Sequence, residues 1–345
     1  MTHQISKTAR RSRPSGPDSS SALALIKRNK RLFAAGATAA VLAGSAWFNR
    51  ANARRAEAAT PPAGKFVEVD GVRLHYVDRG EGPAVVLLHG NGGMLQDFEA
   101  SGVLGLAAEQ YRVIAFDRPG FGYSERPRTT IWTPQAQARL IAGALQQIGA
   151  QGAVVVGHSW GTLVALAMAL DHPEAVGGLV LLSGYYYGSA RPDVVPLSIP
   201  AIPLVGDLLA NTVAPLTGLL TGPAAIKTAF APAPVSDKLA SFPTALALRP
   251  SQVRATAADT AMMIPGAVAL SARYGDLRLP VIIMAGEGDL IVHVAKHARR
   301  LVTDIAGAEL RVVPGQGHLF HYAVPDEVVA AIDRVAVRVA PRRAA

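Results

Sequence analysis

The chain has 345 residues, of which 50% are hydrophobic and 17% charged, so it can bury a large core and is not disordered throughout. It has no cysteine, which excludes disulfides, thiolate metal sites and a cysteine nucleophile but does not fix the compartment. The net charge of +9 belongs to the start of the chain. Residues 1–55 hold 11 of the 34 Lys and Arg and one acid, whereas the remainder holds 23 basic and 24 acidic residues. We therefore expect no nucleic-acid partner for the folded part.

The leader divides into a polar part and an apolar part. Residues 1–31 are rich in Ser, Pro and Arg and are predicted to be disordered. Residues 32–48, LFAAGATAAVLAGSAWF, contain no charge in 17 positions, which is near the lower limit for a helix that crosses a bilayer. Eight basic residues precede this segment, so the positive-inside rule predicts a cytoplasmic N-terminus with the domain outside.

Three interpretations of residues 32–48 stay open. The segment is a signal anchor, a cleaved signal peptide, or a buried amphipathic helix. Cleavage is an option because ANA (51–53) and AEA (56–58) have the small-x-small form of a peptidase site. We expect export, with the domain anchored on the extracytoplasmic side or, after cleavage, secreted or periplasmic. Residues 49–63 are predicted to be a linker.

Residues 64–345 are predicted to form one α/β domain. Two short segments flank the dipeptide DG (70–71), which predicts a hairpin. The runs that follow are continuously apolar, as in strands buried on both faces of a mostly parallel sheet, and helical patterns lie between most of them. The predicted strands after the hairpin are 84–90, 111–117, 152–159, 178–184, 280–289 and 309–318.

The alternation is interrupted once, between residue 185 and about residue 265. This stretch is rich in Pro, Leu and Ala, has few charges and shows no strand pattern. A structureless loop of that length would be abnormal in a compact domain. We predict a helical insertion over the ends of the strands, that is, a lid.

The pentapeptide GHSWG (157–161) follows a predicted strand and opens a predicted helix. A tight turn at this place strains the backbone and lifts Ser159 clear of the sheet, while Gly157 and Gly161 leave the turn room that a Cβ would fill. Ser159 is therefore the candidate nucleophile.

A serine nucleophile needs a base and an acid that orients the base. In the order nucleophile, acid, histidine, the candidates at later strand ends are Asp289 as the acid and His318 as the base. Rivals are less well placed in the order of elements: Glu287, Asp117, His321 and His158.

Donors for an oxyanion are predicted at two backbone positions. One is the N–H of Trp160, directly after the nucleophile, and the other is the N–H of Asn91 in the loop HGNGG (89–93). His89, Gly90 and Gly92 support this loop. We expect no metal and no cofactor, because no ligand cluster is recognisable and the glycine-rich loop lacks a P-loop lysine.

Taken in order, HGNGG, DRPGFGYS, GHSWG, GEGD and GQGH resemble the α/β-hydrolase fold superfamily, in particular its lid-bearing branch of esterases, peptidases, carbon–carbon bond hydrolases and haloperoxidases. The resemblance covers roughly residues 64–340. Asn91 and Trp160 are similar to the halide-binding pair of haloalkane dehalogenases. Those enzymes attack with an aspartate where this chain has Ser159, and serine would leave an ether that water cannot open, so the resemblance implies acyl chemistry instead.

The leading hypothesis is a serine hydrolase that cleaves an ester or related acyl compound with an apolar group through an acyl-enzyme. Alternatives on the same residues are a cofactor-free haloperoxidase or perhydrolase and a carbon–carbon bond hydrolase. From another class, the chain could be a catalytically silent protein that binds a small ligand. The expected partners are a small acyl substrate and, through residues 32–48, a membrane, with the oligomeric state undetermined.

Overall fold

The structure is a computed structural model that describes residues 19–343. Most of the predicted disordered leader, residues 1–18, lies outside the described residues. The chain divides into two compact units, residues 1–47 and residues 48–345. The described part of the first unit belongs to helix α1 (Ser19–Ala59), and its residues from 27 onward are mainly exposed.

Helix α1 is longer than the apolar segment from which we predicted it. Residues 19–31, predicted to be disordered, and residues 49–59, predicted to be a linker, are helical. Alanine is frequent after Asn49 and favours a helix, and Ala56 is buried in the second unit. By length and composition, residues Lys27–Ala59 include a segment able to cross a membrane, a criterion that signal sequences also meet.

The second unit contains a sheet of eight strands in the order β1-β2-β4-β3-β5-β6-β7-β8. The first two strands form the predicted hairpin, with Asp70 and Gly71 at positive φ in the turn, and β2 pairs antiparallel with β4. All other pairs are parallel. The strands are Lys65–Val69, Val72–Arg79, Ala84–Leu88, Arg112–Phe116, Ala153–His158, Val176–Leu182, Val281–Gly286 and Glu309–Val313.

Helices cover both faces of this sheet. Successive residues of β3 enter opposite cores: Val85 and Leu87 pack on one face, Val86 and Leu88 on the other. This arrangement explains why the inner strands Ala84–Leu88, Val176–Leu182 and Val281–Gly286 are apolar throughout, whereas the edge strand Glu309–Val313 includes two charged residues. The helices that alternate with strands are α2 (Gln96–Ser101), α3 (Val103–Ala107), α4 (Pro134–Gln147), α5 (Gly161–Asp171), α11 (Ala298–Asp304) and α12 (Pro325–Arg343).

The chain between β6 and β7 is helical. We call it the insertion, and its helices are α6 (Val194–Ser198), α7 (Val205–Asn211), α8 (Ala214–Phe230), α9 (Thr244–Ala247) and α10 (Pro250–Ser271). Helix α10 returns to the body of the domain, where Gly266 packs closely against Pro134 at the start of α4. A Cβ at Gly266 would lie 2.7 Å from the ring of Pro134, so this approach requires glycine.

Candidate active site

The turn between β5 and α5 holds Ser159 in a strained conformation. Its φ is +51°, which a residue with a side chain adopts at a cost of about 1–3 kcal/mol. The Ser159 N–H donates to the carbonyl of Leu182 (2.8 Å), and the Thr162 hydroxyl donates to the Ser159 carbonyl (2.6 Å), which fix the turn from both sides. Ser159 is partly exposed, whereas His158 and Trp160 beside it are buried.

The flanking glycines serve the close approach predicted for them. A Cβ at Gly157 would lie 2.7 Å from the carbonyl oxygen of Gly161, and a Cβ at Gly161 would collide with the carbonyl oxygen of Leu88. Helix α5 can therefore begin directly against the ends of β3 and β5. This contact brings the serine to the carboxyl edge of the sheet.

Asp289 and His318 meet at the same edge, in the loops after β7 and β8. The distance from His318 Nδ1 to Asp289 Oδ2 is 2.8 Å. A carboxylate only accepts hydrogen bonds, so Nδ1 carries the proton and Nε2 is left with a free lone pair. His318 also lies beside the residue before Ser159, because His158 Nε2 is 3.2 Å from the His318 carbonyl oxygen.

The environment of Asp289 favours the charged carboxylate. Burial opposes ionisation, but His318 and the backbone N–H groups of Val292 and Ile291 outweigh it and lower the pKa of Asp289. Both N–H groups donate to Asp289 Oδ1 over 2.8 Å. The carboxylate is thereby held in position to orient the imidazole of His318.

The predicted oxyanion loop passes directly against the serine. A Cβ at Gly90 would lie 3.1 Å from the Ser159 Cβ, and Gly92 turns the loop at a φ of +73°. Within the described part of the chain, the backbone N–H groups of Asn91 and Trp160 donate to no acceptor. Two unpaired donors beside a serine can bind a negatively charged oxygen.

The side chains of Asn91 and Trp160 point elsewhere. Asn91 Nδ2 donates to the Thr256 carbonyl (3.1 Å) and the Thr260 hydroxyl (2.9 Å), and Trp160 Nε1 donates to the Asp259 carbonyl (2.9 Å). All three acceptors lie in α10. These side-chain donors, which resemble a halide-binding pair in sequence, thus connect the insertion to the two predicted oxyanion positions.

Sequence reasoning missed Arg118, which binds the backbone of the predicted oxyanion loop. Its guanidinium is fully buried and donates to the carbonyls of His89 (2.8 Å) and Gly90 (3.1 Å) and to Asp259 Oδ2 (2.6 Å). Its backbone N–H donates to His89 Nε2 (2.9 Å), so His89 carries its proton on Nδ1 and donates to the Gly90 carbonyl. The motif DRPGFGYS contains Arg118 and was the signal available.

A second missed feature is a buried cluster of Asp97, His158 and His321. Their ligand atoms lie within 4.8 Å of one another, a spacing that can hold a metal ion, although no metal was expected from the sequence. His321 Nε2 and the Tyr322 hydroxyl lie 3.2 and 2.9 Å from the two carboxylate oxygens of Asp97. These hydrogen bonds satisfy the carboxylate of Asp97, whereas Nδ1 of His158 and Nδ1 of His321 have no hydrogen-bond partner within the described residues; we assign no ion to the cluster.

The charges of this cluster follow from its burial. Burial disfavours the carboxylate of Asp97, but His321 and His158 outweigh this effect and lower its pKa. Burial, assisted by His321 and His318, lowers the pKa of His158 to about 3, so His158 is neutral at physiological pH.

The rival acids lie in other environments. Asp117 is buried and binds its own loop, accepting from the N–H groups of Tyr123 and Leu95 over 3.0 Å, with His75 Nδ1 at 2.7 Å. Glu287 is exposed and accepts from the N–H of Gly315 (3.3 Å). Within residues 19–343, neither carboxylate is hydrogen-bonded to His318, in contrast to Asp289.

Comparison with known proteins agrees with this architecture. A sequence profile of the alpha/beta hydrolase fold matches residues 83–323. The uncharacterized hydrolase YugF of Bacillus subtilis is 36% identical over 138 residues, which are 40% of this chain and 50% of YugF, so the match spans half the length of that relative. The 2-hydroxy-6-oxononadienedioate/2-hydroxy-6-oxononatrienedioate hydrolase of Comamonas testosteroni is 28% identical over 271 residues, 74% of this chain and 89% of that protein.

A solved structure gives a similar result. Est816, an N-acyl homoserine lactone degrading enzyme, superposes with a TM-score of 0.56 and 26% identity, over 78% of this chain and 99% of Est816. The predicted fold class, a mostly parallel sheet with helices on both faces, is confirmed.

Proposed function

Because the chain belongs to the alpha/beta hydrolase fold family, we propose that it is a serine hydrolase that cleaves a carboxylic ester or a related acyl compound. The observation that carries this proposal is the 2.8 Å hydrogen bond between His318 and Asp289, at the sheet edge where Ser159 is held at positive φ. It leaves the imidazole with a lone pair on Nε2, which a serine hydroxyl needs as its base.

In the proposed reaction, Ser159 Oγ attacks the acyl carbon and its proton passes to His318 Nε2, while Asp289 stabilises the imidazolium. The N–H groups of Asn91 and Trp160 bind the oxyanion of the tetrahedral intermediate. The carbon–oxygen bond to the alcohol then breaks, and the alcohol leaves with the proton from His318. A water molecule, deprotonated by His318, opens the acyl-enzyme and releases the acid and the free serine.

A fluorophosphonate probe tests the nucleophile. We expect the full-length protein to form an adduct, and Ser159→Ala to form none. Ser183→Ala is the matched control, because Ser183 also follows a strand, has a positive φ of 45° and has a buried hydroxyl without a partner in the described part of the chain. Folded wild-type protein without an adduct would contradict the proposal and favour a silent small-ligand binder.

We further propose that the insertion acts as a lid over an apolar acyl or alcohol group. The bonds from Asn91 and Trp160 to α10 support this role, since they tie the insertion to the oxyanion positions. Hydrolysis of p-nitrophenyl esters by the full chain in detergent should rise with acyl chain length. Activity on the acetate alone would contradict an apolar site.

Carbon–carbon bond hydrolysis is the second candidate, favoured by the similarity to the hydrolase of Comamonas testosteroni. The two reactions are distinguished by incubating the protein with a 2-hydroxy-6-oxo-dienedioate, because cleavage of its carbon–carbon bond removes the conjugated chromophore of the compound. Faster turnover of this compound than of any ester would identify carbon–carbon bond hydrolysis as the function. Competition by hydrogen peroxide for the acyl-enzyme would identify a perhydrolase.

We also propose that residues 32–48 hold the protein in a membrane, with the domain on the extracytoplasmic side. The length and composition of the helix that contains them support this proposal. Carbonate extraction of cell membranes should leave the protein in the pellet. Recovery in the soluble fraction as a shortened chain would favour a cleaved signal peptide instead.

A further inference from the structure

The insertion exposes several large apolar side chains within residues 195–220. Leu204, directly before α7, and Leu220, on α8, are each 83% exposed, and the others lie on α6, α7 and α8. We call this set the apolar insertion face, and its members are Val195, Leu197, Leu204, Leu208, Leu219 and Leu220. Water-soluble surfaces rarely carry so many exposed aliphatic residues within so short a segment.

Charge is nearly absent from this segment. Between Asp193 and Lys227 the single charged residue is Asp207. Its carboxylate is already paired with Arg128 (2.8 Å) and Arg254 (3.1 Å). The face therefore presents hydrocarbon without a free charge, which fits an apolar medium better than water.

The shape of the face is a bent helical pair. Residues Val194–Ala201 and Val205–Asn211 are together apolar enough to enter a membrane, and they bend by 93°. Leu204 lies at the bend with a φ of +66°. The backbone of this strained leucine is used at the start of α7, where its carbonyl accepts from the N–H of Leu208, but its side chain is left in solvent, so we look for a partner outside the described part of the protein.

The hydrogen bonds of Asn49 to the end of α7 indicate which partner covers this face. Asn49 is buried, and its Nδ2 donates to the carbonyls of Asn211 (2.9 Å) and Thr212 (2.8 Å) at the end of α7. Asn49 is also the residue directly after the apolar segment 32–48. If that segment ends at a bilayer surface, the peptide bond and these two hydrogen bonds keep the end of α7 at the same surface.

We propose that the apolar insertion face binds the lipid bilayer, with Leu204 and Leu220 in the hydrocarbon region, so that an apolar substrate reaches Ser159 from the membrane. The lipid contact rests on the insertion and on the proposed membrane segment 32–48, and the route of the substrate rests on the proposed serine hydrolase. A protein partner or a second copy of the chain would cover the face without lipid.

The absence of cysteine permits a direct test. Leu220→Cys and, as a control, Val337→Cys are each labelled with an environment-sensitive fluorophore in the full-length protein. Val337 is 72% exposed on α12, whose neighbouring Val335 and Val339 pack on Gly178 and Gly177 at the start of β6, the strand end opposite Ser159. The proteins are reconstituted in vesicles of phosphatidylcholine and phosphatidylglycerol (3:1).

Nitroxide groups on the lipid acyl chains should quench the label at position 220 at least twofold more strongly than the label at position 337. Aqueous iodide should show the reverse order. Equal quenching of both labels by iodide, with no effect of the nitroxide, would overturn the proposal. So would a label at position 220 that is quenched by neither agent in vesicles, since that result indicates a protein partner covering the face.

A kinetic test examines the substrate route. Leu204→Asn combined with Leu220→Asn removes hydrocarbon from the two most exposed members of the face. We expect at least a tenfold loss on a long-chain ester dissolved in vesicles and no change on p-nitrophenyl acetate in water. Equal loss on both esters would contradict this route. A wild-type protein inactive on both would contradict the serine hydrolase and leave the quenching result to decide the lipid contact.

Discussion

Arg118 and Asp259 form an ion pair in which neither side chain is exposed, with 2.6 Å between Nη1 and Oδ2. The pair joins the loop after β4 to α10, two elements separated by 141 residues. Because Arg118 also donates to the carbonyls of His89 and Gly90, this ion pair connects the insertion to the predicted oxyanion loop.

We therefore expect Asp259→Ala to destabilise the protein by about 3–5 kcal/mol, because it leaves the buried guanidinium of Arg118 without its charged partner. Urea unfolding measures the loss. Asp207→Ala is the matched control, since Asp207 pairs with Arg128 and Arg254 at a partly exposed site. There we expect a loss of at most about 1 kcal/mol. Equal losses would show that burial of the pair does not matter.

The strain at Ser159 separates stability from activity. Ser159→Gly should abolish hydrolysis and raise the free energy of unfolding by about 1 kcal/mol, because glycine adopts a φ of +51° without strain. Ser159→Ala should be equally inactive without this gain, since alanine keeps the Cβ. Thermal unfolding of the two variants side by side gives the difference. A gain shared by both would place the strain in the hydroxyl and not in the backbone.

Three buried histidines predict a loss of stability in mild acid. Burial is the largest cause in each case: it lowers the pKa of His158 to about 3, that of His297 to about 4, and that of His89 well below its ordinary value of 6.5. The unfolded chain takes up these protons below pH 6.5, whereas the folded chain does not. The contribution of these histidines to the free energy of unfolding is therefore fully present above pH 6.5. It decreases as the pH is lowered below 6.5, by up to about 1.4 kcal/mol per pH unit for each group.

His297→Gln isolates one of these groups. His297 Nδ1 accepts the N–H of Tyr186 (3.1 Å), and the amide oxygen of glutamine is able to accept the same bond. Urea unfolding at pH 7, 6 and 5 should give a shallower pH dependence for the variant than for the wild type. Identical slopes would mean that His297 takes up its proton in the folded state as well.

In the second unit, the side-chain amide of Asn49 joins the last part of α1 to the insertion. We expect Asn49→Ala to lower the free energy of unfolding by about 1–3 kcal/mol, because the carbonyls of Asn211 and Thr212 lose its two hydrogen bonds. Asn52→Ala, one turn further along α1 at a half-buried position, should change it by less than about 0.5 kcal/mol. Limited proteolysis within residues 190–230 should quicken in the first variant only.

The positions of the strands could be predicted from sequence because the determinants are local. Most of the parallel strands are short, largely apolar runs, so Ser159, Asp289 and His318 could each be assigned to the end of a run. Parallel strands bring their carboxyl ends to one edge, and the structure places Asp289 and His318 in contact there.

The features that sequence reasoning missed are contacts between distant elements. Asp97 meets His321 across 224 residues and Arg118 meets Asp259 across 141, and neither pair has a local pattern that marks it. The helical state of residues 49–59 was missed for the same reason. A polar and alanine-rich stretch is typical of a linker. Its helical state could be predicted only with knowledge of the surface that Asn49 and Ala56 contact.

Both small-residue sequences that a signal peptidase would recognise, 51–53 and 56–58, lie inside the part of α1 that packs on the domain. Scission after Ala53 would detach Asn49 from Thr212, and scission after Ala58 would also remove Glu57 from its ion pair with Arg249. Cleavage at either bond would thus release a domain that has lost these contacts, so the uncleaved polypeptide is the form with more stabilising interactions.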